Sequence, residues 1–185
     1  EGYFNGPKPY GDWYCDLEKF CFFSRAALSA LPVIGSQPDV VHCHDWQTAL
    51  IPVLLKDRFH DGEFFRSMKS VITIHNLKFQ GVWDVMTIKR LTGLPDYYFT
   101  PDKLEAYKDG NLLKGGIVYA DAITTVSETY AEEIKMPFYG EGLDGLMRAR
   151  ANSLRGIVNG IDYDDFNPET DPYIVQKYNA KNFQN

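Results

Sequence analysis

Short apolar runs alternate with amphipathic segments along this chain. The run 71–75, VITIH, is mostly apolar and β-branched, and the polar loop 76–81 follows it at once. An uninterrupted apolar run of this length predicts a strand buried on both faces, as in a parallel sheet. The same pattern predicts further strands at 39–45, 120–126 and 154–158.

Segments with apolar positions at helical spacing lie between these strands. Helices are predicted over 16–31, 46–58 (with Pro52 as a possible kink), 111–119, 128–135 and 146–151, with one more helix within 163–185 and a loop over 2–13. The region 82–109 contains several Gly and Pro breakers and predicts short helices and loops over the sheet ends. This alternation predicts an α/β fold with a doubly wound, Rossmann-like parallel sheet.

Composition narrows the classes of function. The 185 residues suit one domain, and 44% hydrophobic with 24% charged residues is ordinary for a globular protein. The net charge of −6 argues against a nucleic-acid or anionic-membrane partner. Cys15, Cys21 and Cys43 lack metal-ligand or disulfide spacing, which fits the cytoplasm, and no apolar run has membrane-spanning length.

Each predicted strand ends in polar residues: His44-Asp45, His75-Asn76, Ser127-Glu128 and Asn159-Gly160. The carboxyl ends of parallel strands meet at one edge of the sheet, where ligands bind in α/β proteins. These side chains give directional donors and acceptors without a strong cationic field. Such a set suits the hydroxyls of a sugar better than a bare phosphate.

Five strings carry a resemblance to a known family: HCHDWQTALIP, ITIHNLKFQG, YADAITTVSETYAEEI, YGEGLDGLMRAR and GIVNGIDYDDFNPETD. In this order they closely resemble the bacterial glycogen synthases and plant starch synthases, over nearly the whole chain. These are retaining glycosyltransferases with the two-Rossmann-domain (GT-B) architecture. The resemblance implies transfer of glucose from ADP-glucose to the 4-hydroxyl at the non-reducing end of an α-1,4-glucan.

The resemblance also implies roles for five residues. His75 matches the family's donor-side histidine and is the predicted catalytic residue, with Asn76 beside it. Asp45 matches the aspartate that helps to hold the acceptor glucan, and Gln47 falls where some members have His. Asn159 matches an asparagine that faces the cleft. The resemblance implies ADP-glucose as a co-substrate, with no cofactor and no metal.

Two parts of the family's pattern are missing. The Lys-x-Gly-Gly-Leu loop that meets the donor has no counterpart, because Lys114-Gly115-Gly116-Ile117 lacks the spacer and falls in a predicted helix. No second Rossmann domain follows. We therefore expect residues 1–185 to be part of an N-terminal catalytic domain, without its start and without the C-terminal nucleotide-sugar domain, and to be inactive alone.

Structural roles compete with these assignments. Asp45 could cap the helix that follows it, and Ser127 is expected to cap the next helix along. Either His42 or His44 is expected to be a hydrogen-bonded core histidine, and Cys43 to be core filler. Further structural expectations are packing for Trp46 and Trp83, a turn at Asn159-Gly160 and a solvated helix face for Arg148 and Arg150.

Two other functions stay open at this point. His42 and His44 lie on one face of a strand, as in the first metal pair of a metal-dependent hydrolase. Later strand ends offer only His75 as a further strong ligand, since hydroxyl and amide groups bind zinc weakly. The other alternative is a non-catalytic module that binds glucan in the same cleft.

Overall fold

A computed structural model describes residue 11 and residues 13–182. The predicted loop 2–13 and the last three residues of the predicted final helix therefore lie almost wholly outside the described residues. The strands are β1 Val40–His44, β2 Lys69–Ile74, β3 Val82–Asp84, β4 Glu105–Ala106, β5 Asp109–Asn111, β6 Ala122–Thr125 and β7 Leu154–Gly156. The helices are α1 Trp13–Val33, α2 Asp45–Thr48, α3 Leu50–Asp57, α4 Val85–Thr92, α5 Leu112–Tyr119, α6 Glu128–Glu133 and α7 Asp144–Ala149.

Four strands form a parallel sheet in the order β1-β2-β6-β7. These are the four strands predicted from the apolar runs; β1, β6 and β7 are two or three residues shorter than predicted, and β2 is one residue longer. The α/β class and the parallel sheet are confirmed. Because all four strands run in one direction, their carboxyl ends share one edge.

The core lies on one face of this sheet. Cys43, Ile72, Ile74 and Ile123 point to that face and are fully buried, which confirms Cys43 as core filler. Helix α5 lies close to the sheet at Gly116, where an added Cβ would be 2.7 Å from the Ile72 side chain. The small residue therefore sets the distance between helix and sheet.

The opposite face carries a row of polar side chains. His42 Nε2 lies 2.6 Å from Thr73 Oγ1, which in turn lies 2.6 Å from Thr124 Oγ1. His42 is thus the hydrogen-bonded histidine expected on β1, although its side chain is exposed rather than in the core. The bonds join three adjacent strands across this face.

The region 82–109 holds more strand than expected. Besides α4 and a 3₁₀ turn at Asp96–Tyr98, it contains β3, β4 and the first residue of β5, and these three strands form a small antiparallel sheet in the order β3-β5-β4. The prediction of only helices and loops here was wrong. Strands of two or three residues are too short to show period-two alternation.

Two helix predictions also need correction. The predicted helix 46–58 is interrupted at Ala49, because Pro52 has no N–H to bond the Thr48 carbonyl. The predicted final helix is wrong for the described residues 163–182, which form turns. Their large side chains, among them Tyr163 and Tyr173, are exposed, and a short helix without packing partners is marginal in water. Among the described helices, none combines the length and apolarity needed to cross a bilayer.

Candidate functional site

The carboxyl ends of β1 and β2 meet at two histidines. His44 Nδ1 lies 3.0 Å from His75 Nε2, and the ring centroids are 5.3 Å apart. Asp45 follows His44 and accepts a hydrogen bond from the His75 main-chain N–H at 2.8 Å through Oδ1. The last residue of β1 and the residue that follows it therefore both bind His75, one at its side chain and the other at its main chain.

Asp45 has an unusual backbone conformation for its position. Its φ is +53°, in the left-handed region, at the first residue of α2. The N-cap residue of this helix is His44, and no side chain caps it. Of the two roles left open for Asp45, helix capping is therefore not the one found, since Asp45 Oδ1 accepts from the His75 N–H instead.

A cavity of about 780 Å³ opens beside these strand ends. Asp45, Gln47 and Asn76 line it, so the structure brings three of the five predicted site residues together. His75 is not part of the lining but adjoins it through its bond to Asp45. Asp45 and Gln47 lie in α2, directly after β1, and Asn76 lies in the loop after β2, as expected for the crevice of a parallel sheet.

Asn159 lies elsewhere in the described chain. It follows β7, the strand at the opposite edge of the sheet from β1, and is exposed. Three strand spacings of about 4.8 Å separate these edges, or roughly 14 Å. Asn159 is not among the residues that line the cavity, and its role stays a prediction.

The wall of the cavity depends on Gln80, which sequence reasoning missed. Its side-chain amide donates to the carbonyls of Leu77 and Glu141, each at 3.0 Å. Its Oε1 accepts from Asn111 Nδ2 at 2.6 Å, while Asn111 also caps α5 through Lys114 N. Gln80 thus ties the loop after β2 to two segments far away in sequence.

Tryptophans form part of the cavity lining. Trp46 and Trp83 are almost fully buried, with ring centroids 5.3 Å apart, so the packing expected for both is confirmed. Gly81 lies against Trp46 with φ +65°, and an added Cβ would lie 2.6 Å from Trp46 Cε3. Phe79 also lines the cavity and is 60% exposed, which leaves an aromatic ring accessible at its rim.

The charged groups of the cavity are mainly acidic. Asp16, Asp45 and Glu141 line it, and Lys78 is the only cation among its described lining residues. Lys19, buried on α1, is 2.9 Å from Asp16 and balances that carboxylate. Carboxylates and amides accept hydrogen bonds from neutral hydroxyls, whereas a diphosphate needs several cations.

The surroundings of His44 favour its neutral form. Burial lowers the pKa of His44, and the neighbouring His42 and His75 lower it further, against the opposing effect of Asp45. A neutral imidazole has one donor and one acceptor nitrogen, so one ring of the pair donates and the other accepts. The bond between His44 and His75 therefore couples the two proton positions.

Among the described residues, the structure gives little support for the metal site that a metal-dependent hydrolase would need. In the described part of the chain, no group of three or more His, Cys, Asp or Glu side chains has the geometry to hold a metal ion. His42 is bonded to Thr73, and His44 is bonded to His75. The two imidazoles of the proposed metal pair thus already have protein partners.

A second cavity of about 370 Å³ lies near Tyr107, Lys114 and Gly142. Lys114 Nζ donates to the main-chain carbonyls of Pro101 and Glu105. The Lys114-Gly115-Gly116-Ile117 string lies inside α5, as expected, and so is not a loop. Its lysine supports the fold of this region.

Comparison with known proteins decides the family. The sequence profile of the family described as "Starch synthase catalytic domain" matches residues 1–149. This chain belongs to that family. The family resemblance inferred from the five sequence strings is therefore confirmed, and membership does not favour the hydrolase.

Relatives of this starch synthase family member include two bacterial glycogen synthases. The one from Lachnospira eligens is 68% identical over 184 residues, covering 100% of this chain and 38% of the relative. The one from Lachnoclostridium phytofermentans is 63% identical over the same coverage. The chain thus spans well under half the length of these curated relatives.

A solved structure is also similar. The catalytic domain of starch synthase IV from Arabidopsis thaliana, bound to ADP and acarbose, is 35% identical with a TM-score of 0.84. The match covers 98% of this chain and 37% of that chain. It supports the fold as that of a starch synthase catalytic domain, while the roles of the individual site residues stay predictions.

Proposed function

We propose that this chain is part of a glycogen or starch synthase that transfers glucose from ADP-glucose to the 4-hydroxyl at the non-reducing end of an α-1,4-glucan, with retention. Membership of the starch synthase family supports this activity. The main structural support is the cavity at the carboxyl ends of β1 and β2, which is lined by Asp45, Gln47 and Asn76 and adjoins His75. ADP-glucose is then a co-substrate in the cytoplasm, with no separate cofactor.

The cavity suits the acceptor glucan. Carboxylate and amide groups on its wall accept and donate hydrogen bonds to sugar hydroxyls, while Phe79 gives an exposed ring at the rim. A volume of about 780 Å³ is within the usual range for sites that bind small ligands. The solved relative from Arabidopsis is bound to acarbose, which is consistent with a saccharide here.

His75 is proposed to act on the donor side. Among the residues that the structure describes, no carboxylate stands out as a double-displacement nucleophile, so retention is assigned to attack from the same face as the leaving phosphate, with phosphate as the base. In that reaction His75 positions the donor sugar and stabilises the charge that develops on it. Lys78 is the one cation among the described lining residues, which is too little for a diphosphate, so we assign the diphosphate-binding groups to another part of the parent enzyme.

The acceptor assignment is tested by titrating a maltooligosaccharide into this chain and following amide chemical shifts. We expect weak binding, roughly millimolar, or about 4 kcal/mol, with shifts around Asp45, Gln47 and Asn76. Gln47→Ala should weaken it further, whereas Gln176→Ala, at an exposed position in the tail, is the matched control. Circular dichroism checks that both variants are folded. Shifts that map far from the cavity would contradict the assignment.

Catalysis by the chain alone is tested separately with radiolabelled ADP-glucose and a glucan primer. We expect no incorporation above background, because the proposal assigns the nucleotide-binding groups to another part of the parent enzyme. Labelled glucan would show that the chain is more complete than proposed. A non-catalytic glucan-binding module predicts the same titration, but no loss of transfer when His75 is replaced in the parent enzyme.

A further inference from the structure

We propose that His44 and Asp45 are positioning residues for His75, one holding its side chain and the other its main chain. The proposal rests on the proposed function, in which His75 contacts the donor glucose. It gives Asp45 a role in turnover in addition to the acceptor role implied by the family resemblance. The proposal is based on the geometry at the carboxyl ends of β1 and β2.

The main-chain contact lies where the sheet ends. β2 ends at Ile74, and its register with β1 ends at the pair His44 and Thr73. The N–H of His75 lies beyond this ladder and finds its acceptor in Asp45 Oδ1 at 2.8 Å. Asp45 therefore extends the pairing of the two strands by one bond, just where His75 leaves the sheet.

The backbone at Asp45 is adapted to this contact. The chain turns from extended His44 (φ −129°, ψ 122°) into α2 through a left-handed residue (φ 53°). Most residues disfavour this region, but Asp and Asn tolerate it. At the same corner, Thr48 Oγ1 accepts from His44 N at 2.6 Å and donates to His44 O at 2.8 Å. The turn that presents the carboxylate is thus held in place.

The side-chain contact restricts the ring of His75. His44 Nδ1 is hydrogen-bonded to His75 Nε2 at 3.0 Å. The His42 ring packs against the His44 ring, with centroids 4.3 Å apart. Within the described chain, no partner is found for His75 Nδ1. His75 thus has Nδ1 and its main-chain carbonyl left to meet a substrate, in an orientation set by His44.

This arrangement separates a positioning role from a purely binding role. If Asp45 only bound glucan, its loss would raise the KM for glucan and leave kcat unchanged. If it positions His75, its loss lowers kcat, because a small displacement of a reacting group is costly even when binding is kept. Asn at position 45 would keep both the left-handed turn and an oxygen acceptor for the His75 N–H.

The kinetic test uses the full-length parent enzyme. We expect Asp45→Ala and His44→Ala to lower kcat about 10- to 100-fold, with the KM for glucan changed less than threefold. Asp45→Asn should recover kcat to within a few-fold of the wild type. His60→Ala is the matched control, since His60 is an exposed histidine that lies beside Asp61, and kcat should stay within about twofold of the wild type. A raised KM with normal kcat in Asp45→Ala would overturn the proposal.

The structural test uses this chain and needs no activity. The His75 amide proton, bonded to a carboxylate, should move upfield in Asp45→Ala, and the ring nitrogen signals of His75 should change in His44→Ala. Asp61→Ala, at a fully exposed side chain, should change neither. An unmoved His75 amide in Asp45→Ala overturns the positioning role whatever the enzyme does. Shifts as expected, in a parent without glucan synthesis, would instead overturn the proposed function.

Discussion

An aspartate binds a main-chain N–H at each end of strand β2. At the amino end, Asp121 accepts from Ser70 N at 2.8 Å and from Ser70 Oγ at 3.2 Å. At the carboxyl end, Asp45 accepts from His75 N at 2.8 Å. Each aspartate comes from a segment next to a neighbouring strand, so each bond joins β2 to the strand beside it.

The surroundings make the two ends different. Ser70 is fully buried, and Lys56 and Lys69 lie 3.5 and 3.6 Å from the Asp121 carboxylate. His75 is exposed, and Asp45 faces an open cavity instead of a cation. We therefore expect the bond at the amino end, among buried and paired groups, to contribute mainly to stability, and the bond at the carboxyl end, beside the cavity, to contribute mainly to positioning.

The largest expected effect is on turnover at the carboxyl end. In the parent enzyme, His75→Ala should lower kcat about 10²- to 10³-fold, because one positioned contact to the transition state is lost. Thermal unfolding of the same variant should be close to the wild type, since the side chain is exposed. Near-normal turnover would show that this end of the sheet is not the reacting end.

A smaller effect is expected at Gly81, where both stability and binding should change. Gly81→Ala puts a Cβ 2.6 Å from Trp46 at φ +65°, so we expect about 2–3 kcal/mol of destabilisation in urea unfolding. The displaced Trp46 should also weaken maltooligosaccharide binding. Gly35→Ala is the matched control, since it has φ +67° but nothing within 4 Å of the added Cβ. Equal losses for both variants would indicate that backbone strain alone matters.

At the amino end we expect a change in stability without a change in binding. Asp121→Ala removes the acceptor for the buried Ser70 groups and should cost about 1 kcal/mol, moderated by the partial exposure of the carboxylate. Maltooligosaccharide titration of the variant should match the wild type. A loss of binding at wild-type stability would break the distinction between the two ends.

The pH dependence of this contribution has a definite sign. Burial raises the pKa of Asp121, but the Ser70 hydrogen bonds and Lys56 and Lys69 outweigh burial, so the pKa lies below 3.8. Its stabilisation is present above the unfolded pKa and is lost as pH falls through the lower folded value. Acid unfolding of Asp121→Ala should therefore converge with the wild type at low pH.

The smallest expected effect on stability is the pH-dependent contribution of His44. Burial, then His42 and His75, hold its pKa below 6.5, so the unfolded chain takes up a proton more readily than the folded one. The contribution to stability is full above about pH 6.5 and is lost as pH falls through the folded pKa. In His44→Asn, the urea unfolding midpoint should depend less on pH between 7.5 and 5.5 than in the wild type. A steeper pH dependence in that variant would contradict the predicted sign.

The sequence predicted the elements whose signal is local. Four strands followed from short apolar, β-branched runs, and the Ser127 cap followed from residue type, as its Oγ accepts from Tyr130 N at 2.9 Å. The hairpin between β4 and β5 was missed because its turn uses Tyr107 and Lys108 at positive φ, without the Gly or Asn that usually mark such a turn.

The candidate site was predictable to a similar degree. Asp45, Gln47 and Asn76 came together because strand ends converge in a parallel sheet. Contacts between distant segments left no mark in the sequence. Arg150 was expected to be solvated, but it donates to the carbonyls of Val118 and Ala120 at the end of α5. Gln80 was overlooked for the same reason, since its partners are 31 and 61 residues away.

The amide of Gln80 has a mechanical consequence for the cavity. It spans from the loop after β2 to the Glu141 carbonyl while holding the Asn111 side chain. The Gln80 side chain thus links the two segments that border the cavity opening, the loop after β2 and the segment at Glu141. The length of this side chain sets the distance between them. Removing one methylene, as in Gln80→Asn, would draw these segments inward. A carboxylate facing the same carbonyls, as in Gln80→Glu, would push them apart.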